Sequence, residues 1–188
     1  SLNILLFAIT IAAQDNGLFQ IWESKAKFIP TNHMLEHNVK PLDSVRIAVI
    51  GLGNRGQMAL ERLPKIVGVQ IKAISDIDSS KVNQSAERYF LNDNLKVPDL
   101  YYGSSAWKSI SERDDIDLIY VCTHWELHTP IAVYAMNHGK HVAVEVPAAL
   151  TIKECWELVK TAEKTKKHCI QLENCMYDFF EISVHNMA

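Results

Sequence analysis

The strongest chemical signal in this chain is Gly51-Leu52-Gly53-Asn54-Arg55-Gly56, the spacing G-x-G-x-x-G. Glycines so placed let a backbone turn tightly, approach a diphosphate closely and pack the following helix against the preceding strand. Short glycine spacings also arise by chance, so the context carries the weight. Val45–Ile50 (VRIAVI) reads as a strand directly before the loop, and the loop opens into a helix. The start of that helix would offer free N–H groups and a partial positive charge to phosphate. Asp76 lies twenty residues after Gly56, just past a second β-rich run, Val69–Ile74. A carboxylate there accepts hydrogen bonds from the adenosine ribose hydroxyls. It also repels a 2′-phosphate, and no arginine sits beside it, so the residues favour NAD over NADP. The competing reading is a tight turn with an unrelated capping aspartate.

Open α/β sheets bind ligands at the carboxyl ends of their strands, so the residues after each later apolar run are candidates. Thr123-His124-Trp125-Glu126-Leu127-His128-Thr129-Pro130 follows Leu118–Cys122, Glu145-Val146-Pro147 ends the run from His141, and Glu173-Asn174-Cys175-Met176-Tyr177-Asp178 follows Ile170–Leu172. Each is a polar or aromatic cluster where a nicotinamide and a sugar could lie. Trp125 reads either as a ring for a ligand or as simple packing, and Tyr177 either as a functional phenol or as a core residue at a helix start. His124 and His128 bracket Glu126, but H-x-E-x-H is not the zinc pattern H-E-x-x-H. The segment follows a strand rather than lying within a helix, and no metal is expected.

The elements that must position these groups alternate strand and helix about five times. Helical stretches are expected at Met58–Leu63, ending near Pro64, and at Ser79–Phe90, capped by Ser79 or Ser80. A looser segment with Pro98 and Gly103 follows, then a short helix at Ala106–Arg113. Pro130 can start a helix through Asn137, closed by Gly139. Thr151 and Glu154 form a capping box at the start of Thr151–Thr165, with Trp156 and Val159 toward the core. Tyr177–Met187 looks helical. Such alternation predicts a Rossmann-type doubly wound α/β fold, a parallel sheet with helices on both faces.

The chain has 188 residues and a formal net charge of −3, which gives no electrostatic case for nucleic acid. Its four cysteines, Cys122, Cys155, Cys169 and Cys175, match no C-x-x-C pattern and read as mostly buried free thiols. Leu2–Ala13 is an apolar run too short to span a bilayer, with the length of a signal-peptide core. It predicts a periplasmic or secreted protein; the alternative is a cytoplasmic one whose apolar arm packs on the domain. Residues 1–44 are read as leader and arm, 45–175 as the NAD-binding domain, and 176–188 as the start of a connection to a further domain.

From Val45 onward the chain resembles the Gfo/Idh/MocA oxidoreductases, and more finely glycoside hydrolase family 109, the NAD-dependent α-N-acetylgalactosaminidases. The motifs that carry the resemblance are GLGNRGQMALERLP (51–64), RDDIDLIYVCTHWELHTP (113–130), AVYAMNHGKHVAVEVPAALT (132–151) and ENCMYDFFE (173–181). It implies NAD contacts from Asn54, Arg55, Asp76, Trp125, Glu126, Leu127, His128, Glu145, Val146 and Asn174, beside Gly51, Gly53 and Gly56. Sugar dehydrogenases of this type carry E-K-P, whose lysine assists proton transfer, and Val146 stands in that lysine's place. The family chemistry is redox-neutral hydrolysis: transient oxidation at the sugar's C3, elimination of the C1 group, water addition and re-reduction. Tyr177 is the candidate base. The implied substrate is a carbohydrate with terminal N-acetylgalactosamine, and sugar contacts and any self-association would come from a second, mainly β domain absent from this chain. The chain alone is then expected to bind NAD weakly and hydrolyse nothing. The alternatives are an NAD-dependent sugar dehydrogenase and a nucleotide-binding module without catalysis.

Overall fold

In the computed structural model of the chain, Met34 and residues 37–187 are described. The Leu2–Ala13 run, and with it the export expectation, lies outside the described residues. β1 (Val45–Ile50) explains the architecture by itself, because its side chains alternate between two cores. Ile47 and Val49 pack with Leu52, Leu60, Ile74 and Val82, whereas Ala48 and Ile50 pack with Ala73, Ile119 and Ile131. A strand apolar on both faces needs helices above and below it. Each large aliphatic side chain so buried is worth about 1.5–3 kcal/mol over leaving it exposed.

The other strands are β2 (Val69–Asp76), β3 (Asp99–Tyr102), β4 (Leu118–Val121), β5 (His141–Glu145) and β6 (Cys169–Leu172). All pair in parallel in one sheet, in the order β3-β2-β1-β4-β5-β6. The helices are α1 (Asn54–Arg62), α2 (Ser79–Ala86), α3 (Ala106–Ser111), α4 (Trp125–Asn137), α5 (Ile152–Thr165) and α6 (Phe179–Met187). Leu60 of α1 and Val82 of α2 cover one face; Ile110 of α3, Ile131 of α4 and Leu158 of α5 cover the other. This is the doubly wound Rossmann arrangement, in which the strand order reverses between β1 and β4 and opens a crevice at their carboxyl ends. At the opposite end of the sheet, Arg46 grips Asp117 with two guanidinium bonds of 2.9 and 2.6 Å and a backbone bond of 2.9 Å.

Several local expectations are corrected. β3 occupies the stretch read as loose; it is an edge strand beside Pro98, and its exposed pattern hides the usual apolar signal. α4 begins at Trp125, not Pro130, which sits inside the helix. His128 therefore lies within a helix as well. α1 runs from Asn54 to Arg62, before a 3-10 turn at Leu63–Lys65. α2 ends at Ala86 and gives way to a π turn at Glu87–Leu91, and its cap is Asp78, whose carboxylate outcompetes the serine hydroxyls for the Ser80 N–H. The capping box of Thr151 and Glu154 is present. Trp156 is half-buried and Val159 exposed, because Leu158 and Thr161 define the inner face of α5. All four cysteines are free, but Cys155 and Cys175 are exposed and the other two half-buried. Among the described residues, no helix is long and apolar enough to cross a membrane.

Candidate cofactor site

The glycine loop has three positions with three different physical demands. Gly51 has φ of +93°, and a Cβ there would stand 2.5 Å from the Cys122 carbonyl oxygen. A Cβ on Gly56 would stand 1.9 Å from the Gly51 carbonyl oxygen, so the start of α1 closes directly on the turn. Gly53 is different: a Cβ there meets nothing within 4 Å. Protein packing does not require that glycine, whereas a diphosphate approaching the backbone does. No side chain caps α1, so the first N–H groups of the helix stay available to an anion.

Asp76, at the end of β2, is tied into the same unit. Its Oδ2 accepts the Leu52 N–H at 2.7 Å and its Oδ1 accepts the Asp78 N–H at 3.0 Å. Each carboxylate oxygen retains a lone pair for a ribose hydroxyl. The turn therefore fixes the acid's direction before any ligand arrives.

Across the crevice, Trp125 opens α4 with 60% of its surface exposed. Glu126 is exposed beside it and Leu127 is half-buried. His128 points the other way. It is buried, with Nδ1 2.7 Å from the Pro147 carbonyl oxygen and Nε2 3.1 Å from that of Thr123. Together with the Thr129 hydroxyl, which donates to the Ala148 carbonyl at 3.0 Å, it fastens the start of α4 to the loop after β5. That loop carries Val146, which is 39% exposed.

Three further expected residues meet in one brace. Arg55, exposed at the start of α1, donates to Asn174 Oδ1 at 3.4 Å and lies 3.8 Å from the Glu145 carboxylate. Glu145 is 7% exposed at the end of β5, and Asn174 opens a 3-10 turn after β6. The brace thus links the diphosphate end of the crevice to the far strands. Tyr177 closes that 3-10 turn, so its backbone stands at the same sheet end; its side chain lies outside the described residues.

Tyr120 was not singled out by sequence reasoning and Cys122 was read only as a free thiol, and both border this brace. The Tyr120 hydroxyl donates to Glu145 at 3.5 Å, and burial, then the Cys122 and Glu145 charges, pushes its pKa up to about 12. Burial, then Glu145, also pushes the Cys122 thiol well up. Both therefore stay protonated near neutrality. The signal available in sequence was a hydroxyl and a thiol interrupting an apolar strand.

The family model of the Gfo/Idh/MocA group, described as an oxidoreductase family with an NAD-binding Rossmann fold, matches residues 45–172. The chain belongs to this family. As a Gfo/Idh/MocA domain it takes NAD as its cofactor, and the open Gly53, the uncapped α1 and the oriented Asp76 fit that group. Among curated relatives, it is 52% identical over 156 residues to the alpha-N-acetylgalactosaminidase of Bacteroides fragilis, covering 83% of this chain and 36% of that protein. It is 48% identical over 167 residues to a glycosyl hydrolase family 109 protein of Porphyromonas gingivalis, covering 88% of this chain and 36% of that one. The chain thus spans only about a third of the length of these relatives. Among solved structures, myo-inositol 2-dehydrogenase from Lactobacillus plantarum superposes with a TM-score of 0.64 at 26% identity, covering 77% of this chain and 40% of that one.

Proposed function

We propose that this Gfo/Idh/MocA domain serves an NAD-dependent glycoside hydrolase that removes terminal α-N-acetylgalactosamine. The observation that carries the reading is Val146, exposed on the loop after Glu145 where related sugar dehydrogenases hold the lysine that moves a proton at the oxidised hydroxyl. Half-identical relatives that bear the glycosidase name support the same reading.

When bound, NAD⁺ supplies reversible two-electron oxidation at C3 of the sugar, which acidifies the C2 proton and makes the C1 group eliminable. Loss of the C1 group, addition of water in its place and return of the electrons to C3 would leave the sum glycoside plus water giving free sugar plus alcohol, with no net oxidation. The chain's residues do the rest. The N-terminus of α1 and Gly53 hold the diphosphate, Asp76 accepts from the adenosine ribose, and Trp125 presents a ring face. Arg55 reaches from the diphosphate end to Glu145 and Asn174, which with Val146 line the nicotinamide end, with Glu126 and Leu127 beside them and His128 acting through the backbone it fastens. Tyr177 takes the C2 proton as base. Paired carboxylates, the usual glycosidase machinery, are unnecessary on this route. The apolar Leu2–Ala13 run supports export to the periplasm or beyond.

The test is incubation of the full-length protein with an aryl α-N-acetylgalactosaminide, with no NAD added. Aryl release without lasting absorbance from reduced cofactor is expected. Stoichiometric reduced cofactor from a free sugar, with no aryl release, would instead identify a sugar dehydrogenase.

A further inference from the structure

Three histidines meet at the amino ends of β5 and β6, the end of the sheet away from the cofactor crevice. His141 opens β5 and His168 immediately precedes β6. Their ring centroids stand 5.4 Å apart with planes 22° apart, and the His37 ring lies 5.5 Å from that of His168 at a tilt of 41°. All three residues are half-buried. The His168 N–H donates to His141 Nδ1 at 3.0 Å, so that nitrogen keeps its lone pair and the ring is neutral while the bond is made. A proton on Nδ1 would set donor against donor.

His37 brings the segment before β1 to this cluster. Residues 38–43 are all exposed, and the chain turns inward again at Ser44, whose hydroxyl accepts the Gln70 amide at 3.2 Å. The charges around the rings are mostly positive. Lys167 and His168 face His141 from the loop before β6 and His37 faces it from the arm, while Asp117, before β4, is the opposing acid. Arg46 already grips both Asp117 oxygens. Lys140, the residue before His141, is a further cation, with Asp114 and Lys167 facing it. Burial first, and then Lys167 and His168, hold His141 below the ordinary imidazole range.

We propose that His37, His168 and His141 form an acid-released latch, in which the neutral rings hold arm residues 37–43 at the foot of β5 and β6 and their protonation lets the arm go. Two charged rings at these separations repel, and in a half-buried site water screens them poorly. The folded chain favours the neutral ring of His141. The latch is therefore closed above the unfolded histidine value of about 6.5 and opens as pH falls below it. Opening is local: the arm leaves while the sheet, and the crevice at its far end, stay formed.

The test is backbone amide relaxation of residues 38–42, by nuclear magnetic resonance, in the wild-type protein, His37→Phe and His37→Ala. Far-ultraviolet circular dichroism checks the sheet. In the wild type, order parameters of the arm should fall from about 0.8 at about pH 7.5 to below about 0.6 at about pH 5.5, with circular dichroism unchanged. Phenylalanine keeps a ring that takes no proton, so the arm of His37→Phe should stay ordered at both pH values. His37→Ala removes the ring, and its arm should be mobile at both. A wild-type arm equally ordered at both pH values overturns the latch, as does an ordered arm in His37→Ala or release of His37→Phe at the wild-type midpoint. Loss of the sheet signal at the lower pH overturns it too, since the release would then be global.

Discussion

The Leu52 N–H donates to Asp76 Oδ2 at 2.7 Å, across 24 residues of sequence. The bond makes the glycine loop and the ribose acid one object. The loop cannot shift without turning the carboxylate, and the carboxylate cannot turn without leaving a buried residue's N–H unpaired. Preorganisation of this kind lowers the ordering cost when the two ends of a dinucleotide are captured together.

The glycines separate folding from binding. Gly56→Ala drives a Cβ into the Gly51 carbonyl, a contact between backbone atoms that cannot yield cheaply, and should destabilise the domain by at least about 3 kcal/mol. Gly53→Ala meets open space at a φ of −70° that alanine accepts, so it should melt with the wild type. It should nevertheless lose NAD affinity by tenfold or more. Thermal melts paired with cofactor titrations check both, and equal effects of the two substitutions would refute the assignment.

Trp125 offers a second such separation. At 60% exposure its removal costs little packing, so Trp125→Ala should melt within about 2 °C of wild type. An aromatic contact of about 1 kcal/mol lost from the cofactor would weaken binding by roughly fivefold. Quenching of intrinsic fluorescence by NAD, absent in the variant, reads the contact directly.

Acid sensitivity should originate at the other end of the sheet. The Arg46 hydrogen bonds hold the Asp117 carboxyl below the usual range, and those of Arg113 bring Asp115 down to about 2. A carboxyl depressed in the folded chain contributes stability that is full above its unfolded pKa of about 4 and is lost as pH falls toward the folded value. Asp115 is 48% exposed and solvent screens its share, so Asp117, at 17%, should dominate. Urea midpoints should hold from pH 7 to 5 and fall below about 4. Asp117→Asn should start lower and fall less steeply; parallel curves would contradict this.

Thiol chemistry gives an ordering. Cys155 and Cys175 are exposed, and the Asp178, Glu173 and Glu181 charges push the Cys175 thiol up. Burial pushes Cys169 up to about 11 and Cys122 higher still. An aromatic disulfide reagent at pH 8 should label Cys155 first and reach Cys122 and Cys169 only on unfolding. Peptide mapping after timed quenching checks the order.

The glycine loop, the acid that ends β2 and the α5 capping box were legible because each is local, a few residues whose spacing and chemistry suffice. β3 was not, since DLYY is short, exposed at the sheet edge and preceded by Pro98. Pro130 suggested a helix start, because proline favours the first turn, yet the helix already runs from Trp125. The brace of Arg55 with Asn174 joins residues 119 apart, and only the folded sheet brings them together. His128 shows the limit most clearly. Its place in a motif suggested a cofactor contact, while its ring faces two main-chain carbonyls that no spacing rule could indicate.

Residues 45–172 form an NAD-binding domain whose glycine loop and acid are joined by the Leu52–Asp76 bond. Isothermal titration of NAD⁺ into the folded protein tests it most directly. The account predicts one saturable site per chain, weakened at least about tenfold by Asp76→Ala. A folded protein that gives no heat of binding, or one that binds equally well without Asp76, would contradict it.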